Sequence, residues 1–375
     1  MGMVIMILAV ATGNGLRTAI QDKVTGFGGD IQVINYQPNP AYEQAPVIIN
    51  DSILKTIKEL EGVSKIQPFA FKAGILKEED LFEGAVLKGV DSSYHWENFE
   101  KYITTGKIPR FDNRNYQDSV LLSERLVDRL GLKLHDRLSM FFVRSQKAPL
   151  RRNFIIAGIF KTDFEDIDDQ FLIGDLKHVR RLNQWSDVAV GGYEILGEKQ
   201  VDTESLSRQI RLLIPFAYDA LTARALNPQL FQWLDLFDLN IMIILIIIIA
   251  VATINMSIAL LILIMERTRM IGVLKTLGAR NGLIQRSFLL QASFLIGKGL
   301  AWGNLIGIGL AWLQKHYQWV KLDPETYYVT AVSIDLNPWY LLSINLLTLL
   351  VCLFCLLLPS LLITKIKPAQ AIRFE

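Results

Sequence analysis

The chain has 375 residues, 39 basic against 37 acidic, for a net charge of +2. So small an excess excludes the basic footprint of a nucleic-acid-binding protein. Hydrophobic residues make up 51% and gather in a few long runs, and neither of the two cysteines falls within 17–235, so that stretch folds without disulfides.

Met1 to Leu16 is uncharged. At 1.5 Å per residue it reaches about 24 Å, short of the roughly 30 Å hydrocarbon core of a bilayer. Two readings fit it. Ala9-Val10-Ala11 has the small-x-small form of a signal-peptide cleavage site, but no cationic segment precedes it. The other reading, which is favoured, is the outer part of a first spanning helix whose sequence begins late. Gly26-Phe27-Gly28-Gly29 then reads as a hinge-like loop just outside the membrane.

Residues 17–235 have the patterning of a water-soluble α+β domain. Asp30 to Tyr36 alternates as a strand does. Asp51 is placed to cap a helix running to about Leu60, with Gly62 ending it. Short strands are expected at 64–71 and 84–90. The segment VLLSERLVDRLGLKLHDRLSMFFV reads as a strand, a helix capped at Ser123 and stopped by Gly131, and a strand from Arg137. Asn153 to Phe160 returns as a second strand, and helices are expected near 175–183 and 202–212. The hairpin VRSQKAPLRRN (143–153) has its expected tip at Ala148-Pro149-Leu150, flanked by Arg144, Lys147, Arg151 and Arg152. Its composition suits a solvated turn with a charged edge, and a docking tip is the second reading. The acidic run TDFEDIDDQ (162–170) lacks the spaced Asp-x-Asp-x-Asp-Gly of a calcium loop and is expected to be a solvated loop.

Three further runs, about 239–265, 287–313 and 339–364, are long and apolar enough to span a bilayer. The only charged residue within them is Lys298, whose long stem favours snorkelling or a local contact over a proton or substrate role. Segment 266–286 holds Arg267, Arg269, Lys275, Arg280 and Arg286 against Glu266, and the C-terminus adds Lys365, Lys367 and Arg373. Cationic loops stay in the cytoplasm, which places 17–235 and 314–337 outside. Trp233, Trp312, Trp319 and Trp339 then fall at the outer ends of spans, as an aromatic belt would. Cys352 and Cys355 sit within the last span and read as packing residues.

Nothing in the sequence builds a catalytic site. The four histidines are scattered, and neither a Gly-x-Ser-x-Gly nor a phosphate-binding Gly-x4-Gly-Lys-Ser/Thr occurs. The expectation is a non-enzyme that binds no cofactor of its own. Between the second and third runs, Ile271, Leu274 and Leu277 lie at helical spacing, Gly278 should stop that helix, and Leu283, Ile284 and Phe288 resume the spacing. A short amphipathic helix along the cytoplasmic surface is either a connector held near anionic lipid or a docking element for a cytoplasmic partner.

ERTRMIGVLKTLGARNGLIQRSFLLQ (266–291) resembles the signature loop of the FtsX-like permeases, membrane subunits of one class of ABC transporter. The large external α+β domain is similar to that of MacB. The ending PSLLITKIKPAQAIRFE and Gln291 resemble the lipoprotein-releasing permeases LolC and LolE. The resemblance implies a four-helix permease, 1–16 being an incomplete first helix, 17–235 a MacB-like extracytoplasmic domain and 236–375 the FtsX-like part. It implies a multi-pass inner-membrane protein with its large domain in the periplasm. It also makes 266–286 a coupling loop on a cytoplasmic ATPase dimer that binds ATP and Mg, with Arg269, Ile271, Leu274, Lys275, Leu277, Gly278, Ala279 and Arg280 at the contact. Met270 departs from the glutamate many relatives carry there. A second permease, the same or homologous, is the other implied partner. In the lipoprotein-releasing branch a hairpin recruits a soluble periplasmic carrier, which makes Lys147, Pro149, Leu150 and Arg151 the candidate docking residues. Lipoprotein release is the implied function, with MacB-like export of a peptide or small molecule, or FtsX-like mechanotransmission to a cell-wall hydrolase, as alternatives.

Overall fold

The apolar runs fold as helices and the alternating stretches as one mixed sheet, in a computed structural model that describes residues 1–36, 44–111, 116–144, 147–198 and 201–360. The first half of the chain holds α1 (Gly2–Gly28), β1 (Ile31–Asn35), α2 (Asp51–Lys58), β2 (Val63–Glu78), β3 (Leu81–Val90), α3 (Glu97–Glu100), β4 (Ile103–Gly106), β5 (Ser119–Ser123), α4 (Glu124–Leu130), β6 (Arg137–Arg144) and β7 (Lys147–Phe160). Then come α5 (Glu165–Asp168), β8 (Phe171–Asp175), α6 (Leu176–Asn183), β9 (Gly192–Gly197), α7 (Thr203–Leu213), β10 (Tyr218–Thr222) and α8 (Ala223–Leu226). The long helices follow: α9 (Pro228–Glu266), α10 (Thr268–Thr276), α11 (Asn281–Tyr317), the short α12 (Pro324–Tyr327) and α13 (Pro338–Ser360). Four of these, α1, α9, α11 and α13, are long and apolar enough to cross a membrane.

The chain divides into two units. One is residues 19–231 with 322–330, the other 1–18 with 232–321 and 331–375. In the external unit, β2 pairs with β3, β3 with β8, β8 with β5, β5 with β7, β7 with β6, and β6 back with β2, so these strands close on themselves. Two of the pairs, β3 with β8 and β5 with β7, are parallel. Alternate residues point inward, and Leu76, Leu87, Leu122, Leu138, Met140, Phe142 and Phe154 are buried together. The first half of β2 also pairs with β9, which carries β1 and then β10 outward as an extension of the sheet.

Helix starts are set by side chains that take the free amides of the first turn. Ser123 and Asp202 do so for α4 and α7. For α2 the cap is Asn50, not Asp51, which is the first helical residue, and the helix stops at Lys58 rather than Leu60. The strands expected at 64–71 and 84–90 are longer, because β2 and β3 form one continuous hairpin paired from Phe69↔Val90 to Glu78↔Leu81.

Two expected loops are ordered. Gly26 to Gly28 belong to α1, which ends only at Gly29, whose φ is +73°. Phe27 is buried against Phe99 and Phe171, and that burial outweighs the cost of two helical glycines. The acidic run is a tight turn rather than a solvated loop. Asp168 is buried, accepting bonds from the Thr162 and Asp163 amides and the Thr162 hydroxyl. Arg125 of α4 pairs with Glu165 and Asp169 at 2.9 Å each. Among the described residues no cluster of metal-ligating side chains occurs. Segment 322–330, which the sequence marks only as part of an outer connector, folds onto this turn: Tyr328 stacks on Phe164, ring centres 4.9 Å apart, and its carbonyl accepts from Lys23 at 2.9 Å.

In the membrane unit the helices meet through small residues. Gly303 and Gly307 of α11 face Met3, Val4 and Ile7 of α1, and a methyl group added at Gly303 would fall 2.6 Å from the Met3 Cβ. Asn304 of α11 and Asn345 of α13 exchange amide hydrogen bonds at 2.7 and 2.9 Å. Arg17 pairs with Asp238 and lies 3.8 Å from Asp235. Cys352 is buried among apolar neighbours. Lys298 is exposed on α11, its ammonium 4.6 Å from the ring centre of Phe294 one turn away. The tail from 361 onward, with Lys365, Lys367 and Arg373, lies outside the described residues.

Candidate functional site

The basic segment between α9 and α11 folds as a nine-residue helix, α10, closed by a reversal of the chain. Gly278 has φ +90° and supplies the left-handed residue that the stop needs. The Ala279 amide bonds to the Leu274 carbonyl at 2.9 Å and the Gly278 amide to the Lys275 carbonyl at 3.1 Å. This double closure takes up end carbonyls that a bare helix would leave open, and brings Ala279 and Leu274 onto one apolar cluster. Arg280 is the N-cap of α11, which starts at Asn281 and carries the resumed spacing of Leu283, Ile284 and Phe288.

The expected contact residues divide between two faces. Ile271 is 0% exposed and packs with Leu260, Ile264, Ile284, Phe288 and Leu356, while Leu274 and Ala279 lie partly buried against the same cluster. These three therefore pack α10 against α9, α11 and α13. Leu277 is 79% exposed. With Arg269, Met270, Val273 and Arg280 it forms the outward stripe, apolar in the middle and cationic at both ends. Lys275 is half-buried, and burial lowers its pKa from the ordinary lysine value. The segment carries two apolar rows, and spacing cannot say which one the same chain covers. Met270 and Val273 are the residues that sequence reasoning passed over, though Met270, Val273 and Leu277 also sit at i, i+3 and i+7.

The hairpin turns elsewhere than expected. Arg144 pairs with Lys147, Phe142 with Leu150 and Phe141 with Arg151, so Ala148-Pro149-Leu150 is not the tip, and residues 145–146 lie outside the described residues. Pro149, Leu150 and Arg151 are strand residues, not the tip. Between the pairs Phe142↔Leu150 and Arg144↔Lys147, Ala148 and Pro149 face Val143 alone. Such a bulge accommodates a proline that has no amide for the ladder. Leu150 packs partly on the domain core, and Arg151 donates to Asn153 Oδ1 at 3.1 Å and Ser139 Oγ at 2.9 Å. Val143 and Pro149 are exposed apolar residues at the bulge.

Comparison with known proteins agrees with this architecture. Residues 1–213 match the MacB-like periplasmic core domain, and residues 242–368 match the FtsX-like permease C-terminal domain. The lipoprotein-releasing system transmembrane protein LolC of Xylella fastidiosa is 20% identical over 390 residues, covering 100% of this chain and 92% of its own. The LolC of Neisseria meningitidis serogroup B is 22% identical over 396 residues, covering 99% and 94%. The periplasmic region of MacB from Actinobacillus actinomycetemcomitans aligns with 55% of this chain and 95% of its own at 13% identity, with a TM-score of 0.38, a likeness too loose to add to the sequence matches.

Proposed function

This chain belongs to the ABC-transporter permeases that join a MacB-like periplasmic core domain to an FtsX-like membrane part, subunits with no catalytic activity of their own, and from that premise we propose that it releases lipoproteins from the outer leaflet of the inner membrane to a periplasmic carrier. An ABC permease implies an ATPase partner. A cytoplasmic ATPase dimer, which holds the ATP and Mg, takes the stripe Arg269, Met270, Val273, Leu277 and Arg280 into a groove. Its closure pushes on α10. Ile271, Leu274 and Ala279 pass the push to α9, α11 and α13, because all three sit in the cluster those helices share. A second permease, the same or homologous, faces the first, and acyl chains lie between spans whose Ile and Leu surfaces suit lipid tails. The carrier docks beside the β6–β7 turn, on Val143 and Pro149.

The observation that carries this reading is the likeness to LolC over 99–100% of this chain and 92–94% of the relatives, spans and external domain together. The test is to purify the tagged full chain from its native membrane and identify what accompanies it by mass spectrometry. An ATPase with triacylated lipoproteins, lost on adding ATP and a soluble carrier, supports release. A peptidoglycan hydrolase without lipoprotein sinks it in favour of mechanotransmission, and a peptide or small-molecule cargo in favour of export. The pair Val273→Asp and Leu277→Asp should cut recovery of the ATPase at least tenfold while the melting temperature of the permease stays put. Unchanged recovery overturns the stripe as the seat.

A further inference from the structure

The external unit buries a complete ion pair. Lys88 on β3 and Glu194 on β9 are both 0% exposed, their charged atoms 2.6 Å apart. Gln67, on β2 between those strands, donates to the other Glu194 oxygen at 2.8 Å and fixes the carboxylate. Burial pulls the Lys88 ammonium below the ordinary lysine value, and the Glu194 carboxylate works against that shift. A buried pair of this kind adds little stability compared with apolar side chains of the same volume, so stability is a poor account of its presence.

Its geometry supplies a better one. The Lys88 ammonium also donates to the main-chain carbonyl of Phe27, in the last turn of α1, and lies 4.3 Å from the Phe27 ring centre. The next carbonyl, of Gly28, accepts from Gln32 Nε2 at 2.9 Å. The final carbonyls of a helix carry its partial negative charge and lack partners within it, so a cation there is favourable. Phe27 itself is buried against Phe171 of β8 and Phe99 of α3. The aromatic contact holds by area and has no preferred position along the helix axis. The ammonium-to-carbonyl bond has one. Sliding α1 by even part of a turn against β3 would take the Phe27 carbonyl from the buried Lys88 ammonium and leave both groups short of that bond.

We propose that Lys88 and Glu194 are positioning residues that latch the outer end of α1, a helix whose first residues belong to the membrane unit, to the sheet, so that displacement of α1 is delivered to the external domain without slippage. This rests on the reading of the chain as a permease that does ATP-driven work outside the membrane. The latch holds in the resting and driven states alike, and its role is register rather than strength.

The experiment uses the full chain assembled with its ATPase. Hydrogen exchange of the β2, β3 and β8 amides is followed with and without ATP, alongside the rate of ATP hydrolysis and lipoprotein released per ATP. The double variant Lys88→Met with Glu194→Leu replaces the pair by apolar groups and should fold. We expect hydrolysis within twofold of the native rate, an ATP-driven exchange change reduced at least tenfold, and release per ATP reduced by a similar factor. Lys88→Arg, which keeps a cation on the Phe27 carbonyl, should restore most of the exchange change. A double variant that retains the native ATP-driven change, or one that fails to fold, overturns the latch, the latter because the pair would then be structural. A native complex with no ATP-driven change in those strands overturns it as well. A native complex that shows the change but releases no lipoprotein sinks the release reading and leaves the latch standing.

Discussion

The two units solve the same packing problem with opposite materials. In the external unit, water drives apolar side chains together, and Leu, Ile, Val and Phe fill its core. The Lys88–Glu194 pair is enclosed in that unit and reaches a main-chain carbonyl at the end of α1. In the membrane unit lipid tails are as apolar as the helices, so burial of Ile and Leu distinguishes nothing. Among the described residues, contact there includes close approach at Gly303 and Gly307, the Arg17–Asp238 ion pair and the exchanged amides of Asn304 and Asn345. A buried ion pair marks the external unit, and close glycine contacts with exchanged amides mark the membrane unit.

Breaking that comparison at its strongest point means removing half of the buried pair. Lys88→Met alone leaves Glu194 charged and enclosed, and should cost the external unit about 3–5 kcal/mol, read as a lowered denaturation midpoint of the solubilised chain. The apolar double variant should recover nearly all of it. Next in size is Gly303→Leu, which drives a side chain into Met3. It should weaken packing of α1 on α11 by about 1–3 kcal/mol, measured by detergent-driven unfolding in mixed micelles, with the external unit's melting unchanged. The smallest effect sharpens the role of the amides. Asn304→Leu should cost about 0.6 kcal/mol and at most roughly 1.7 kcal/mol. Replacing Asn345 as well should be close to neutral, because no amide is then left unpartnered. A cost for the double change as large as that for Gly303→Leu would mean the amides, not the glycines, hold the unit together.

Much of this was legible from the order of residues. The apolar runs at 239–265 and 339–364 fix spans by length alone, and Ser123, Gly131 and Gly278 act through their own backbone and side chain within a few positions. The family resemblance, carried by the segment after Glu266, held over the described parts of both domains. Errors came where a local rule met a distant partner. Gly26 to Gly28 read as a loop because glycine disfavours helix, and Phe99 and Phe171 decided otherwise. The hairpin tip was placed at Pro149 because proline marks turns, but a bulge opposite Val143 absorbs it within the strand.

Sequence by itself determined the membrane class, the spans, the inward cationic loop and the α+β character of the domain between the first two spans, since each depends on composition within one segment. Only the tertiary structure decided that six strands close into a ring, that Ile271 faces the bundle while Met270 and Val273 face outward, and that Lys88 ends on a carbonyl of α1. Periodicity gives a residue's face but not what covers it, and a lone charge in a strand gives no sign of its counter-ion more than a hundred residues away.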